Sequence, residues 1–288
     1  MKDLNYQLKT LCRENRDGSY STQATRRRIL DLIANQLHEL GYQKMQAKSL
    51  KPKHIDALVR QWKDQKLSVG TFKNRLSALR WWARKAGKAD IVQNDNSAYG
   101  IGNRSLVGQG SKAQRLDETK LARISDPYVR LSLRLQAEFG LRREEAIKFS
   151  PNYAIKGDHI KLKASWTKGG RARTVPIRND RQRALLEEVR KFAKGGALIP
   201  PELNYVEQRN RYDRQIRNAG IRNPHGLRHA YAQQRYEELT GWKAPLAGGP
   251  ASKFLTRDQR ARDKGARETI SRELGHGREE ISATYLGR

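Results

Sequence analysis

The sequence predicts a mainly α-helical protein of two domains, in which an all-α N-terminal domain precedes an α+β domain with a small antiparallel β-sheet. The chain has 288 residues, a length that corresponds to two domains of ordinary size. Apolar residues recur at helical spacing through the first hundred residues, whereas residues 159–177 alternate apolar and polar side chains, as half-buried strands do. We therefore expect a helical domain at 1–105, a linker at 106–115 and a mixed domain at 116–288.

Apolar stripes predict helices in the N-terminal domain. The stripes are Leu4, Leu8 and Leu11; Ile29, Leu32, Ile33, Leu37 and Leu40; Ile55, Leu58, Val59 and Trp62; and Phe72, Leu76, Leu79, Ala83 and Ala86. Gly41 and Gly87 follow two of these stripes directly, as glycines at helix C-termini do. The stretch 88–115 has little periodicity and many Gly, Asn and Ser residues, so we interpret it as the connection between the domains.

The second half of the chain mixes helices with a predicted β-hairpin. Residues 159–168 and 171–177 alternate apolar and polar side chains around Gly169-Gly170, which predicts a hairpin with a two-residue glycine turn. Further helical patterns end near Gly140 and cover residues 179–194, 203–219, 227–239 and 257–274, the last with Thr256 as a plausible N-cap. Residues 241–256 contain three glycines and two prolines and cannot form one helix.

The charge balance indicates a polyanionic partner. The chain has 59 Lys and Arg residues against 30 Asp and Glu residues, a net charge of +29. This excess is spread along both halves, so both domains are expected to face the same polyanion. Nucleic acid is favoured over a membrane surface, because surface attachment does not need two basic domains. The candidate DNA-contacting cations are Lys73, Arg75, Arg80 and Arg84 on the fourth helix and Arg171 and Arg173 on the hairpin; a solvated surface face explains the helix cations about equally well.

Several classes of protein are disfavoured by what the sequence lacks. Cys12 is the single cysteine, which excludes a disulfide framework and a Cys-rich zinc site and favours a reducing, cytoplasmic compartment. No phosphate-binding loop of the ATPase type and no zinc-type His/Cys spacing is present. No apolar run reaches the roughly 18 residues of a membrane helix. We expect no metal, no cofactor and no membrane partner.

Five short motifs in the second half combine cations, histidines and a tyrosine. They are Gly140-Leu141-Arg142-Arg143-Glu144-Glu145-Ala146, Lys168 before the glycine turn, His225-Gly226-Leu227-Arg228-His229, Leu274-Gly275-His276 and Thr284-Tyr285-Leu286. Each motif alone also has a purely structural explanation: a surface ion pair for the arginines, a solvated turn lysine, capping or core histidines, and a packed tyrosine.

In this order and spacing, the motifs resemble those of the tyrosine recombinase, or phage integrase, family. The resemblance is detailed over about 140–288 and looser over 1–110, where only the helical, basic character matches the core-binding domain of the family. It implies a core-binding domain and a catalytic domain that together clamp duplex DNA. The catalytic set that it implies is Arg142, Lys168, His225, Arg228, His276 and Tyr285, with Glu145 and His229 as supporting residues.

The resemblance also implies a site-specific recombinase that needs neither metal nor ATP and forms a 3′-phosphotyrosyl bond on Tyr285. Two arginines suit this chemistry, because forked guanidinium donors bind both non-bridging phosphate oxygens. By the same resemblance, Lys168 protonates the leaving 5′-oxygen, His225 gives acid–base support and His276 hydrogen-bonds the phosphate. The implied partners are a double-stranded recombination site, a homotetramer on synapsed DNA with a monomer or dimer off DNA, and, as an open question, a directionality factor. Integration or excision of a mobile element is the favoured role.

Two alternatives stay open: a type IB topoisomerase-like enzyme that relaxes DNA as a monomer, and a non-catalytic DNA-binding regulator with a degenerate site. The sequence departs from the family in two respects. The interval from Arg228 to His276 is 48 residues, about twice the usual spacing, which predicts an insertion at about 241–265. Three residues follow Tyr285, too few to extend into a neighbouring protomer, so protomers are expected to couple through another surface, such as the insertion.

Overall fold

The computed structural model describes residues 3–103, 107 and 110–288. The chain divides into two compact units, Met1–Ser105 and Leu106–Arg288. Part of the linker expected at 106–115, namely residues 106, 108 and 109, lies outside the described residues. Within the described ranges, no helix is both long and apolar enough to cross a membrane.

The first unit is built of helices, as the sequence predicts. They are α1 (Asp3–Glu14), α2 (Tyr20–Glu39), α3 (Pro52–Asp64) and α4 (Val69–Lys85). The helices α2 and α4 begin where the hydroxyl groups of Ser19 and Ser68 accept hydrogen bonds from backbone N–H groups of their first turns. Trp62 and Trp82 lie fully buried in the core of this unit, and both indole N–H groups donate hydrogen bonds inside it, so the burial leaves neither unsatisfied.

The buried face of α2 differs from the predicted stripe. Leu32 and Leu40 are exposed, whereas Leu30 and Ala34 are buried beside Ile33 and Leu37. The buried residues recur at intervals of three, one and three, which is the pattern of a single helix face. The prediction included Leu32 and Leu40 and left out Leu30 and Ala34, so the predicted face was rotated about the helix axis from the face that packs on the core.

The stretch 88–103 belongs to the first unit and is not a free connection, which corrects the interpretation of 88–115. Val92, Tyr99 and Ile101 are buried in the core of that unit. Two short 3-10 turns shape the segment, and the hydroxyl of Tyr99 accepts a hydrogen bond from the backbone N–H of Gln93 at 2.9 Å. Sparse apolar residues without periodicity therefore still pack into the core of the first unit.

The second unit combines helices with a three-stranded antiparallel sheet in the order β1-β2-β3, as counted in the described residues. The strands are β1 (Ile155–Lys156), β2 (His159–Leu162) and β3 (Arg173–Pro176). The helices are α5 (Glu118–Ala122), α6 (Pro127–Phe139), α7 (Arg143–Ile147), α8 (Pro151–Ala154), α9 (Asp180–Ala193), α10 (Tyr205–Asn218), α11 (Gly226–Thr240), α12 (Arg257–Glu273) and α13 (Ala283–Leu286). This confirms the predicted fold class.

The hairpin forms, but without the predicted two-residue glycine turn. The β2–β3 ladder ends at the pair Leu162–Arg173, so residues 163–172 form a longer connection. Trp166 is buried in the core through a 3-10 turn in this connection, and the chain leaves strand geometry to place its ring there. Lys168 consequently lies in an exposed connection and not at the end of a strand.

The glycine of the first motif allows two helices to meet closely. Gly140 ends α6 in the left-handed region, with φ of +61°. A Cβ atom at this position would lie 2.5 Å from the ring of Tyr231 on α11, a distance at which no side chain fits. The tight packing of α6 on α11 therefore requires glycine here and brings Leu141 and Arg142 next to the start of α11.

The predicted insertion is a folded segment between α11 and α12. Gly241 ends α11 with φ of +87°, and 3-10 turns follow at Pro245–Ala247 and Ser252–Phe254. The predicted N-cap is confirmed, because the hydroxyl of Thr256 accepts a hydrogen bond from the backbone N–H of Gln259. The irregular part of the insertion is therefore 241–256, which we call the 241–256 loop.

Candidate active site

Arg228 lies at the centre of a cluster that joins four of the five motifs. Its side chain is 1 % exposed, and its guanidinium donates hydrogen bonds to the carbonyl oxygens of Gly140 and Leu274. Nε lies 3.4 Å from the Tyr285 hydroxyl, and Nη2 lies 3.4 Å from Nε2 of His276. One buried cation thus connects the ends of α6 and α12 to the tyrosine on α13.

The pKa of Arg228 reflects its burial and the positive charge of its neighbours. Burial and then the charge of Arg142 lower it to about 10, which still leaves the guanidinium charged at neutral pH. A buried cation whose hydrogen bonds go to neutral carbonyl groups has lost most of its hydration, and the nearby carboxylate of Glu145 offsets its charge only in part. An anion placed next to Arg228 and Arg142 would therefore be strongly stabilised.

Glu145 organises the two other arginines of the site. Its fully buried carboxylate accepts hydrogen bonds from both terminal nitrogens of Arg173 at 2.7 Å and from Nη1 of Arg142 at 2.9 Å. It also accepts the backbone N–H of Arg142 at 2.7 Å, which caps α7. Burial alone would raise its pKa, but the hydrogen bond and charge of Arg173, with the charges of Arg228 and Arg142, lower it to about 2. Glu145 is therefore an anion that fixes the orientation of Arg142.

Arg173 is a structural member of the site, which corrects its prediction as a DNA contact. The side chain is buried, and two of its nitrogens bind Glu145 while Nε donates to the carbonyl of Glu273 at 2.8 Å. All of its nitrogen atoms are thus engaged inside the protein. The sequence contained a signal for this position, since Arg173 alternates with Val175 and Ile177, which are buried.

Tyr285 is enclosed by histidines and helix α11. The residue is 6 % exposed, and its ring stacks on His276 with centroids 5.3 Å apart. The ring centroid of His229 lies 4.5 Å away and that of His225 6.1 Å away. On the backbone side, Nε2 of Gln233 donates to the Tyr285 carbonyl at 2.9 Å. The hydroxyl is therefore held beside Arg228 by contacts on both sides of α13.

The three histidines of the cluster are neutral at neutral pH. Burial, followed by the charges of Arg228 and Arg142, lowers the pKa of His276 to about 3. Burial and the neighbouring His225 lower the pKa of His229 to about 4, and burial with Arg228 and Arg142 lowers that of His225. A neutral imidazole has one nitrogen free to accept a proton or a hydrogen bond, so these side chains can serve as acceptors in a cationic pocket.

Lys168 is not brought to the cluster. It lies in the exposed 163–172 connection, and no hydrogen bond or ion pair within the described part of the chain links it to the other five predicted residues. Arg173, the first residue of β3, nevertheless binds Glu145 directly. The connection that carries Lys168 is therefore anchored at the edge of the site.

The candidate cations of the first unit differ in how far they are available. Arg75 lies over the ring of Trp62, with 5.3 Å from Cζ to the ring centroid, and burial lowers its pKa. Arg80 donates to the carbonyl of Gln93 and to the side chain of Asn96, which holds the 88–103 segment. Arg84 is exposed and Lys73 is partly exposed, as is suitable for contact with a partner.

Two family models match consecutive parts of the chain. One, described as phage integrase, N-terminal, matches residues 1–92, and the other, described as integrase, matches residues 102–234. Together they cover most of the sequence. The chain belongs to the tyrosine recombinase, or phage integrase, family.

Solved structures of tyrosine recombinases share the fold of this chain. The XerH site-specific recombinase bound to palindromic difH substrate is 18 % identical, with a TM-score of 0.58 over 98 % of this chain and 80 % of that one. A lambda integrase dimer bound to a COC′ core site is 15 % identical, with a TM-score of 0.62 over 98 % and 77 %. The Tn1549 transposon integrase in complex with circular intermediate DNA is 14 % identical, with a TM-score of 0.56 over 98 % and 95 %. No curated protein sequence matches the chain.

The neutral histidines make the stability of the protein dependent on pH. His276 and His229 have folded-state pKa values of about 3 and about 4, below the value near 6.5 of an unfolded chain. Below about pH 6.5 the unfolded state therefore binds protons that the folded state does not, and the free energy of unfolding falls as the pH decreases towards 4.

Urea unfolding of the wild type and of His276→Gln and His229→Gln between pH 7.5 and about 4 would measure this effect. We expect the free energy of unfolding of each variant to fall less steeply with decreasing pH than that of the wild type. Parallel curves for all three proteins would contradict the assigned pKa directions.

Proposed function

We propose that this protein is a site-specific DNA recombinase whose Tyr285 hydroxyl attacks a scissile phosphodiester and forms a 3′-phosphotyrosyl bond. The observation that carries the proposal is the position of that hydroxyl, 3.4 Å from Nε of the buried Arg228, in a cluster that also contains Arg142 and His276. Such a cluster has the donors and the charge that a pentacovalent phosphorane requires.

The proposed reaction uses the side chains as follows. Arg142 and Arg228 bind the non-bridging oxygens of the phosphate, and His276 adds a hydrogen bond. The neutral His225 accepts the proton of the Tyr285 hydroxyl as the bond from Oη to phosphorus forms. The bond from phosphorus to the 5′-oxygen breaks, and Lys168 protonates that oxygen. The reverse sequence, with a 5′-hydroxyl of a second strand as nucleophile, restores a phosphodiester, since the tyrosyl ester keeps the bond energy.

The role proposed for Lys168 requires the exposed 163–172 connection to move onto the DNA. Removal of a general acid lowers a rate by about 10²- to 10⁴-fold, so we expect Lys168→Ala to lower the rate of strand cleavage by that factor. A substrate in which sulfur replaces the leaving 5′-oxygen should restore the rate, because a thiolate leaves without protonation. The matched control is Lys161→Ala on the exposed face of β2, which should cleave both substrates as the wild type does.

Two results would remove Lys168 from this role. One is an unchanged cleavage rate in Lys168→Ala. The other is a reduced rate that the sulfur-substituted substrate does not restore, which would show that the lysine acts in binding.

The proposal includes the assembly and the partner. A duplex recombination site with two arms would bind two protomers, and two such sites would form a tetrameric synapse. Among the similar structures is a lambda integrase tetramer bound to a Holliday junction, which supports such an assembly by analogy. Integration or excision of a mobile element inside the cell is the proposed role, with a directionality factor as a further component.

The experiment that tests the function begins with a randomised duplex pool, from which the wild-type protein selects DNA that it retains covalently in denaturant. Two copies of the selected site are then placed on separate DNA molecules, in buffer with a chelator. A recombinase exchanges strands between the two molecules. Relaxation of supercoiled plasmid without exchange would favour the topoisomerase alternative, and DNA binding without any covalent retention would favour the regulator.

A further inference from the structure

We infer that the 241–256 loop and Arg267 position Tyr285 by holding the C-terminal segment, residues 283–288, against the same subunit. The inference rests on the proposed function, because it concerns how the nucleophile is placed. It gives the insertion a role inside the subunit, where the sequence suggested a contact between protomers. Helix α13 spans four residues, too few to be stable alone, so contacts outside the helix must fix the tyrosine.

The first such contact is between Gly287 and the 241–256 loop. A Cβ atom on Gly287 would lie 2.9 Å from Cγ of Leu246 and 3.1 Å from Cβ of Pro245, closer than side chains tolerate. The backbone of Gly287 has φ of +82°, in the region that favours glycine. The neighbouring Leu286 is fully buried in one core with Ala244 of the loop. The close steric fit and the backbone conformation of Gly287 thus both hold the C-terminal segment against the 241–256 loop.

The second contact is made by Arg267 of α12. Its side chain is 2 % exposed, and Nη1 donates to the carbonyl oxygen of Gly287 at 2.8 Å. Nε donates to Asp263 at 2.8 Å, and Asp263 also accepts the hydroxyl of Tyr236. Nη2 lies 3.5 Å from Oγ of Ser252 in the loop. A buried, ion-paired guanidinium therefore joins the loop and the C-terminal segment, and charge-assisted hydrogen bonds of this kind are strong in a dry environment.

The segment is also held from the side of α11. Gln233 donates to the carbonyl of Tyr285, so the carbonyl oxygens of residues 285 and 287 are both bound by helices of their own subunit. The hydroxyl of Tyr285 meets Arg228 of the same subunit. The contacts of Tyr285 with Arg228 and Gln233 thus lie within one chain, which is the arrangement that cleavage in cis, by Tyr285 on a phosphate bound beside its own Arg228, would require.

Substitutions at the contact test the positioning role. We expect Gly287→Ala to accelerate amide hydrogen exchange across residues 283–288 and to lower the rate of covalent capture by about 10²-fold, since a misplacement of about 1 Å can cost that much. Leu246→Ala, which keeps the backbone intact, should change both measurements in the same direction by less. The control is Gly265→Ala on α12, where a Cβ meets no atom within 4 Å. DNA affinity should remain that of the wild type in all three variants.

A mixing experiment tests cleavage in cis. Tyr285→Phe keeps the arginines and lacks the nucleophile, whereas Arg142→Ala keeps the nucleophile and has an impaired pocket. If cleavage is in cis, Tyr285 of the Arg142→Ala subunit cannot use the intact arginines of the Tyr285→Phe subunit. A mixture of the two variants on the selected site then forms no more covalent complex than Arg142→Ala alone. Appearance of covalent complex in the mixture would overturn the inference, as would unchanged hydrogen exchange and capture in Gly287→Ala and Leu246→Ala. Absence of capture by the wild type would overturn the proposed function itself, and the hydrogen-exchange result would then stand as a structural contact only.

Discussion

Tyr285→Phe should form no covalent complex with DNA while it binds the selected duplex with wild-type affinity. The substitution removes a single oxygen atom, whose contact is the hydrogen bond from Nε of Arg228 at 3.4 Å. The stacking of the ring on His276 and His229 remains, so the cluster keeps its packing. The expected loss is complete, because no other hydroxyl group in the proposed reaction can form the ester bond.

The measurement is retention of labelled duplex by the protein in a denaturing gel, next to a binding titration under native conditions. Tyr153→Phe is the matched control, since the ring of Tyr153 packs on Trp166 in the same unit. That variant should capture DNA as the wild type does. Covalent capture by Tyr285→Phe would show that another residue is the nucleophile.

Glu145→Gln should lower the free energy of unfolding by about 3–5 kcal/mol, the cost of removing one partner from a buried ion pair. The neutral amide cannot accept the paired hydrogen bonds that Arg173 and Arg142 donate to Glu145, and two guanidinium groups then lie close together without a counter-charge. The misplaced Arg142 should also slow covalent capture. Chemical denaturation at neutral pH measures the change in the free energy of unfolding.

Glu144→Gln is the control for this prediction. Glu144 precedes Glu145 in the chain and pairs with Lys148 at 2.6 Å, but its side chain is 46 % exposed. Exposed pairs of this kind contribute about 1 kcal/mol or less, so we expect little change. Equal losses of unfolding free energy in Glu145→Gln and Glu144→Gln would contradict a special stabilising role of the buried Glu145 carboxylate.

The Glu145 contribution also has a defined pH window. Its pKa is lowered from 4.5 to about 2 in the folded state, so the unfolded chain takes up a proton first as the pH falls. The stabilisation is present above about pH 4.5 and is lost between about pH 4.5 and pH 2. The difference in stability between the wild type and Glu145→Gln should therefore shrink as the pH falls through that window. A constant difference would show that the ion pair is not the cause.

The regular helices were predictable, because each depends on the local spacing of apolar residues. Stripes such as Ile55, Leu58, Val59 and Trp62 are buried as a helical period requires. The motifs around Arg142 and Tyr285 could be predicted only as a set, from their resemblance to a family. That the motifs meet at Arg228 depends on tertiary packing, which the spacing of the motifs along the sequence does not reveal.

Other features depend on contacts between distant residues and left little or no trace in the sequence. The burial of Trp166 lengthens the hairpin connection, and the carboxylate of Glu145 draws Arg173 inward. Arg267 stands among several other arginines of α12 and its flanks, and nothing in its position marks it as the one that binds the Gly287 carbonyl. Tertiary packing therefore determines which of several chemically similar residues becomes buried, and the local sequence does not reveal it.

The most direct test of the proposed chemistry is mass spectrometry of the covalent complex formed by the wild-type protein on a nicked duplex. Trypsin releases residues 279–288, a peptide whose single tyrosine is Tyr285. We expect this peptide to carry a nucleotide joined through its 3′-phosphate, and the released strand to end in a free 5′-hydroxyl. A phosphoryl bond on another residue, or a tyrosyl bond to a 5′-phosphate, would contradict the proposed mechanism.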